Sequence, residues 1–359
     1  MTECHGGNIY LHAERLGIDE SAILDFSASI NPLGVPESVC SAMQENMKCL
    51  FNYPDPESRR FRQKIAESEE IDPESILCGN GSTELIYLVV RALKPKRVLI
   101  PAPTFSEYEI ASSRNAGADV VYHTLKEEDS FDMQLKDFVE AMAGRNGLGA
   151  PCDMAFLCNP NNPTGRLVTR TDMLKIAEQA ARNRCILVVD EAFIDFCPGA
   201  SIVREVGNNP SLIVLRSLTK FYALSGLRVG YAVLHPSMVE TVRADKEPWT
   251  VNTLAQIAGT VALGDRAYKR ETFEVIRREK QRLETGFTRL AISCLPSAAN
   301  YFLLRTKKAQ ELATHLCTKG ILVRDCSNFR GLDDSYLRVA VKSEADNTRL
   351  LEEIASCGP

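Results

Sequence analysis

The sequence has few of the residues and patterns on which metal and nucleotide sites depend. Five of its 359 residues are histidine, with no HExxH pattern among them, and its twelve cysteines include no CxxC pair. A metal-centred mechanism and a structural zinc site are therefore not expected. The GxGxxG pattern of dinucleotide-binding folds and the GxxxxGKS/T phosphate loop are also missing. These absences argue against a metalloenzyme and against a nicotinamide oxidoreductase.

Long apolar runs and an excess of positive charge are lacking as well. No run reaches the roughly 18–20 apolar residues that a membrane span needs. Forty-two basic and forty-seven acidic residues give a net charge of −5, which offers no overall basic surface for nucleic acid. The opening Met-Thr-Glu-Cys-His-Gly-Gly-Asn has neither the positive nor the apolar region of a secretory signal. We therefore expect a cytoplasmic protein with free thiols and with no membrane or nucleic-acid partner.

The distribution of apolar residues predicts two domains of different kinds. After an arm over residues 1–35, short apolar strands alternate with helical patterns in a large domain over 36–245, which predicts a mostly parallel sheet between helices. Residues 246–359 are expected to form a smaller α+β domain. The predicted large-domain strands are Val98–Ile100, Asp119–His123, Met154–Leu157, Ile186–Val189, Leu212–Leu215 and Val229–Leu234.

A lysine follows the predicted strand at 212–215, within the pattern S-x-T-K-x5-G-x-R that runs from Ser217 to Arg228. Burial and neighbouring cations lower the pKa of a lysine and make its amine available for imine formation. Lys220 is therefore a candidate nucleophile, and the planar fork of Arg228 is suited to a phosphate. Either residue alone is more often found on the surface, but the extended pattern is much more specific.

A glycine-containing turn precedes an apolar helical pattern at Cys78-Gly-Asn-Gly-Ser-Thr-Glu84. Glycine lets a backbone approach a ligand, and the N-terminus of a helix presents free N–H groups to an anion. Gly81, Ser82 and Thr83 are therefore candidate phosphate ligands. The alternative is an ordinary helix N-cap with nothing bound, and the turn by itself favours neither.

Polar residues also follow two other predicted strands. Asn162 lies in Asn159-Pro-Asn-Asn162-Pro-Thr-Gly165, and Asp190 directly follows the run Ile186–Val189. Ligands of open α/β sheets bind at the carboxyl ends of the strands. A carboxylate there is costly unless it meets a positive partner, and the N–H of a pyridinium ring is such a partner.

Taken together, these residues resemble the fold type I pyridoxal-phosphate enzymes of the class I/II aminotransferase group, over nearly the whole chain. The resemblance implies that Lys220 forms the imine with pyridoxal 5′-phosphate and that Asp190 binds the ring nitrogen. It implies that Asn162 contacts the ring O3′ and that Phe105 stacks on the ring. The phosphate would be held by Gly81, Ser82, Thr83, Ser217 and Arg228.

The same resemblance implies a shared active site. Tyr53, in Asn52-Tyr-Pro-Asp-Pro56, matches a tyrosine that the family contributes from a neighbouring subunit, so a symmetric homodimer is expected. Arg338, in Leu337-Arg-Val-Ala-Val341, matches the arginine that binds the α-carboxylate of the substrate.

Within this group the sequence most resembles the threonine-phosphate decarboxylases of cobalamin biosynthesis. The resemblance lies in the arm with His5, in the stretch Asp25–Gly34 that contains Asn31, and in Phe193, where the aminotransferases usually have a tyrosine. It implies that His5, Asn31 and Arg324 contact a phosphorylated amino-acid substrate. Decarboxylation of L-threonine O-3-phosphate to (R)-1-aminopropan-2-yl phosphate is therefore expected.

Two alternatives stay open at this point. Histidinol-phosphate aminotransferases, which use 2-oxoglutarate, share the pattern around Arg324. A pyridoxal-phosphate-binding regulatory domain is a third reading, and we consider it weaker because the arm before residue 36 is too short for a helix-turn-helix module.

Overall fold

The computed structural model describes residues 6–145 and 149–357. Its strands are β1 Leu24–Asp25, β2 Ile76–Gly79, β3 Arg97–Ala102, β4 Asp119–Thr124, β5 Met154–Cys158, β6 Ile186–Asp190, β7 Leu212–Ser217, β8 Gly230–Leu234, β9 Ser293–Cys294, β10 Tyr301–Arg305, β11 Ile321–Leu322, β12 Arg324–Asp325 and β13 Tyr336–Ala340. Its α-helices are α1 Ile9–Leu16, α2 Glu37–Glu45, α3 Arg59–Glu69, α4 Gly81–Leu93, α5 Glu107–Ile110, α6 Leu135–Met142, α7 Arg170–Arg182, α8 Pro236–Ala244, α9 Thr253–Gly264, α10 Arg266–Arg289, α11 Ala309–Thr318 and α12 Glu344–Ser356. Among these helices, none has both the length and the apolar character needed to cross a membrane.

The central sheet of the described residues has seven strands in the order β2-β8-β7-β6-β5-β3-β4. β8 runs antiparallel to both of its neighbours, and the other adjacent strands are parallel. The predicted mostly parallel sheet is thus confirmed, and each predicted large-domain strand is present. The structure also contains β2, a four-residue strand that the sequence did not predict.

Consecutive side chains of a strand point to opposite sides of a sheet, and both sides of this sheet are buried. In β6, Leu187 and Val189 belong to one apolar cluster and Val188 belongs to another. Helix α7 supplies apolar side chains to the first cluster and helix α4 to the second. The continuous apolar run of β6 is therefore explained by helices that cover the sheet on both sides.

A second, antiparallel sheet has the order β12-β13-β10-β9. Its apolar side chains pack with those of α10, α11 and α12, and Phe26 from the N-terminal part of the chain joins the same cluster. Next to Phe26, β1 pairs in parallel with β11. The N-terminal segment is therefore anchored to the C-terminal part of the chain.

Helix α9 follows residue 245, at which we placed the boundary between the domains, and it packs against α2 and α3. Its side chains Ala255, Ala258 and Ala262 lie in the same apolar cluster as the first face of the central sheet. The contact with α3 is close at Gly259, where a Cβ atom would lie 2.5 Å from Cε2 of Phe61. The division at residue 245 stays a prediction, whereas the contact of α9 with α3 can be tested directly.

We expect Gly259→Ala to destabilise the protein by about 1–3 kcal/mol, because the added methyl group overpacks the contact with Phe61. Alanine is otherwise the better helix former, so helix propensity acts in the opposite direction. Urea denaturation measures the free energy of unfolding. The control is Gly207→Ala, where a Cβ atom would meet nothing within 4 Å. If Gly259→Ala is as stable as wild type, the contact between α9 and α3 can accommodate the added methyl group without loss of unfolding free energy.

Candidate active site

A cavity of about 440 Å³ lies where the parallel strands of the central sheet end. Cys158, Asp190 and Ser217 are the last residues of β5, β6 and β7, and all three line it. The carboxyl edge of a parallel sheet is where such folds bind their ligands. The cavity gathers most of the predicted site residues: Ser82, Thr83, Phe105, Asn162, Asp190, Ser217, Lys220, Arg228, Arg324 and Arg338.

One end of the cavity has the features of an anion site. Helix α4 begins at Gly81, so Ser82 and Thr83 lie in its first turn, where the backbone N–H groups have no partner within the helix. Gly81 has a φ of +79°, and a Cβ atom there would lie 2.5 Å from Nη2 of Arg228. A side chain at this position would strain the backbone and crowd the guanidinium, so glycine favours this arrangement, in which the guanidinium and the helix N-terminus together can hold a phosphate.

Asp190 lies deeper in the cavity and is buried. Its carboxylate accepts hydrogen bonds from the hydroxyl of Tyr108, at 2.7 Å, and from the backbone N–H of Ala192, at 3.0 Å. Burial raises the pKa of Asp190 above its usual value, although these two donors and the charge of Lys220 act in the opposite direction. A cation placed beside this carboxylate would relieve the cost of its burial.

Lys220 faces the same space, with Nζ 6.0 Å from the ring centroid of Phe193. Burial lowers the pKa of Lys220 to about 8, and the positive charges of Arg338 and Arg228 contribute to the decrease. A larger fraction of this amine is therefore neutral near pH 7 than for an exposed lysine. A neutral amine is the form that attacks a carbonyl group.

Two further arginines line the cavity. Arg338 donates hydrogen bonds to Oδ1 of Asn162 and to the carbonyl of Ser27, which join the second sheet and the N-terminal segment to the site. Arg324 is 6% exposed and donates to Oδ1 of Asn328 at 2.7 Å. These guanidinium groups give the cavity a positive charge that is suited to a substrate with two anionic groups.

Two other predicted site residues, Tyr53 and Asn31, lie elsewhere. Tyr53 is 81% exposed and packs against Trp249, with the ring centroids 5.1 Å apart, outside the lining of the cavity. The side-chain amide of Asn31 is buried and donates to the carbonyl of Phe221 and to the hydroxyl of Thr272. Asn31 therefore holds neighbouring chain segments together rather than facing the cavity. His5 lies outside the described residues.

The structure also adds residues to which the sequence reading gave no role. Tyr108 lies three residues after Phe105, with the two ring centroids 5.7 Å apart, and its hydroxyl donates a hydrogen bond to Asp190. From the stretch that suggested Asn31, the structure brings Ser27 and Ser29 into the cavity instead. Oγ of Ser29 is buried and has no hydrogen-bond partner within residues 6–145 and 149–357, so it is placed to meet a ligand.

Comparison with known proteins places this geometry in a family. Residues 21–354 match the family described as aminotransferase class I and II. The chain belongs to this family. It is 41% identical, over 355 residues, to a threonine-phosphate decarboxylase of Salmonella typhimurium, a match that covers 98% of this chain and 95% of the relative.

Solved structures of the family show the same fold. An L-threonine-O-3-phosphate decarboxylase from Porphyromonas gingivalis superposes with a TM-score of 0.81 and 30% identity, over 93% of this chain and 99% of that one. A histidinol-phosphate aminotransferase from Clostridium acetobutylicum gives a TM-score of 0.86 and 31% identity, over 93% of this chain and 98% of that one. Membership of the family confirms the fold class and the dependence on pyridoxal phosphate that the sequence resemblance implied.

The residues present fit that cofactor. Arg228 and the N-terminus of α4 would hold its phosphate, at the position where a Cβ atom on Gly81 would intrude. Asp190, whose buried carboxylate accepts hydrogen bonds from two neutral donors, would hold the protonated ring nitrogen. Lys220 would supply the amine that binds its carbonyl carbon.

The lowered pKa of Lys220 predicts a pH-dependent stability for the cofactor-free protein. Lys220 loses its proton near pH 8 in the folded state and near pH 10.4 in the unfolded state. The resulting cost to folding is complete below pH 8 and disappears as the pH rises through 10.4. Lys220→Met should therefore be more stable than wild type at pH 7, and the difference should shrink toward pH 10. Urea denaturation at several pH values measures it, and a constant difference would contradict the lowered pKa.

Proposed function

We propose that this protein is a cytoplasmic enzyme of cobalamin biosynthesis. It decarboxylates L-threonine O-3-phosphate to (R)-1-aminopropan-2-yl phosphate and CO2, with pyridoxal 5′-phosphate as cofactor. The decarboxylases among its relatives support this substrate. The geometry of a cavity with a nucleophilic lysine, a buried carboxylate and several arginines supports the class of chemistry.

The observation that carries the choice of reaction is the side chain at position 193. Phe193 is buried in the wall of the cavity, edge-on to Tyr301 with ring centroids 5.0 Å apart. The aminotransferases that this sequence resembles usually have a tyrosine at this position, with its hydroxyl directed to the ring O3′. Phe193 supplies no such hydroxyl, a feature of the decarboxylase pattern.

The arginines of the cavity are placed to orient the substrate. Arg324 would bind the phosphate, and Arg338 lies where it can meet a carboxylate. Binding energy from a phosphate remote from the reacting bond can fix the orientation of that bond. In a decarboxylase, the bond that must be oriented for cleavage is the one from Cα to the carboxylate. Arg324 therefore acts on the reaction through orientation.

Lys220 would transfer a proton in this reaction, and Asp190 would hold one in place. When bound, pyridoxal phosphate supplies a protonated ring that withdraws electrons from Cα of the substrate. Asp190 would keep the proton on the ring nitrogen, because a buried carboxylate favours a cation beside it. Lys220 would return a proton to Cα after CO2 has left, since a lysine amine that lines the cavity can act as a general acid.

Transamination of histidinol phosphate with 2-oxoglutarate is the second candidate. It is supported by the structural relative from Clostridium acetobutylicum and by Arg324, whose surrounding pattern the two families share. Both candidate reactions begin with a phosphorylated substrate. They differ in the bond that breaks at Cα.

The direct assay supplies carboxyl-labelled L-threonine O-3-phosphate without any keto acid and collects the released CO2. We expect catalytic release, and we expect Lys220→Ala to reduce it by about 10²–10⁴-fold, the usual contribution of a proton-transferring group. The CO2 that remains with Lys220→Ala also gives an upper limit for the release catalysed by free pyridoxal phosphate. Absence of release, together with 2-oxoglutarate-dependent conversion of histidinol phosphate, would establish the aminotransferase instead.

We further propose a homodimer with shared active sites. Large apolar side chains are exposed around Tyr53, most of all Phe51 at 94%, with Leu50, Met47 and Trp249 about half exposed. Large apolar side chains exposed in this way are typical of a protein–protein interface. A second copy of the chain docked there would cover the patch and would bring Tyr53 close to the partner's cavity.

Mixing two inactive variants tests this arrangement. Tyr53→Ala and Lys220→Ala subunits, exchanged in equal amounts, should recover about a quarter of wild-type activity, because half of the dimers are hybrid and each hybrid has one intact site. Exchange is verified by native mass spectrometry of the hybrid. If the subunits exchange and activity does not recover, Tyr53 does not contribute to the active site of the neighbouring subunit.

A further inference from the structure

The orientation of Arg324 depends on the segment of chain that follows it. This part of the chain, between β12 and β13, is called the 326–332 segment. Within it, Asn328 accepts a hydrogen bond from Arg324 at 2.7 Å, and the ring centroid of Phe329 lies 5.2 Å from the guanidinium carbon of Arg324. A displacement of this segment would therefore redirect Arg324.

The 326–332 segment borders two cavities. Two turns shape it, one closed by the N–H of Phe329 on the carbonyl of Cys326 and one by the N–H of Leu332 on the carbonyl of Phe329. A second cavity, of about 400 Å³, separates the segment from β3, β4 and α5 of the large domain, and it shares Phe105 and Arg324 with the active-site cavity. Contacts across this space therefore help to hold the segment, together with the packing of Phe329 and Leu332 in an apolar cluster.

Arg330 makes such a contact. Its guanidinium carbon lies 4.0 Å from the ring centroid of Tyr122 in β4, and its Nη2 lies 3.5 Å from Oε1 of Glu109 in α5. Burial and the carboxylate of Glu109 raise the pKa of Tyr122 to about 12, so the ring is a neutral phenol near pH 7. A cation over the face of a tyrosine ring at this distance is favourable, and Glu109 fixes its direction.

We propose that Arg330 is a positioning residue. By bridging to Tyr122 and Glu109, it orders the 326–332 segment and so holds Arg324 toward the anionic group of the substrate. The second part of this inference rests on the proposed function, in which Arg324 binds the substrate phosphate. Because the side chain of Arg330 is 57% exposed, its removal leaves the core intact.

The chain offers a matched control in Arg305. This arginine also lies over a tyrosine ring, that of Tyr336, at 5.8 Å, and it also pairs with a glutamate, Glu127. Its side chain is 50% exposed, close to the value for Arg330. It lies in β10, outside the 326–332 segment, so its removal should leave the orientation of Arg324 unchanged.

The first measurement is hydrogen exchange of the cofactor-free protein. Arg330→Ala should accelerate exchange of the Phe329 and Leu332 amides by about fivefold, which corresponds to about 1 kcal/mol. Arg305→Ala should leave both amides at the wild-type rate. Unchanged exchange in Arg330→Ala, or equal acceleration in both variants, would overturn the inference.

The second measurement separates binding from chemistry in the loaded enzyme. Arg330→Ala should raise the KM for L-threonine O-3-phosphate by about fivefold, and kcat should fall as well, because Arg324 also orients the reacting bond. In an Arg324→Ala background, Arg330→Ala should produce no further rise, because the two residues act in series. A rise of equal size in that background would overturn the positioning role.

These two measurements also separate a failure of the inference from a failure of the proposed function. If Arg324→Ala by itself leaves KM unchanged, the role of Arg324 in phosphate binding is wrong. The ordering of the 326–332 segment by Arg330 is then decided by hydrogen exchange alone, with the outcomes given above.

Discussion

Burial of the Asp190 carboxylate at the end of β6 is the constraint on which the arrangement of the site depends. A charged group at the edge of a buried parallel sheet is costly unless donors and a cation surround it. Tyr108 and Ala192 supply the donors. The adjacent residue, Glu191, lies outside the cavity lining and pairs with Arg216 of the neighbouring strand at 3.3 Å. The strand end is therefore held from both sides, and Asp190 has little freedom to move away from its ligand.

Positive charge in the cavity is the complement of that constraint. Lys220, Arg228, Arg324 and Arg338 converge on one space, and the charges of Arg338 and Arg228 lower the pKa of Lys220. Such repulsion is relieved when anions enter, so the cavity is electrostatically prepared for a phosphorylated cofactor and a phosphorylated substrate. The feature that makes Lys220 reactive therefore also favours ligand binding.

Much of the fold was predictable because it depends on local signals. Helix α7 begins after a residue that is typical of a helix N-cap, because the hydroxyl of Thr169 accepts a hydrogen bond from the N–H of Asp172. The buried strands were visible as short apolar runs. Strand β2 was missed because four residues that lead into a glycine turn carry no clear period. The domain division at residue 245 and the cytoplasmic location stay predictions.

In the site, patterns located the residues next to strand ends, but tertiary contacts determined the rest. Nothing in the sequence near Tyr108 reveals that its hydroxyl meets Asp190, because the two residues lie 82 positions apart. For the same reason, Asn31 looked like a ligand, whereas its amide is used by Phe221 and Thr272. Local motifs identify which chain segments approach a site, and only packing decides which side chain of a segment points into it.

The pairing of β1 with β11 has a consequence for how the chain matures in the cell. Arg338 contacts the carbonyl of Ser27, 311 positions earlier, and Phe26 packs in the cluster formed by the last helices. At a synthesis rate of about 5–20 residues per second, the N-terminal segment waits tens of seconds for its partners to leave the ribosome. During that time Phe26 has no completed core in which to bury itself. Formation of the active site is therefore one of the last events in biosynthesis, and the nascent chain has little catalytic competence before its C-terminal strands emerge.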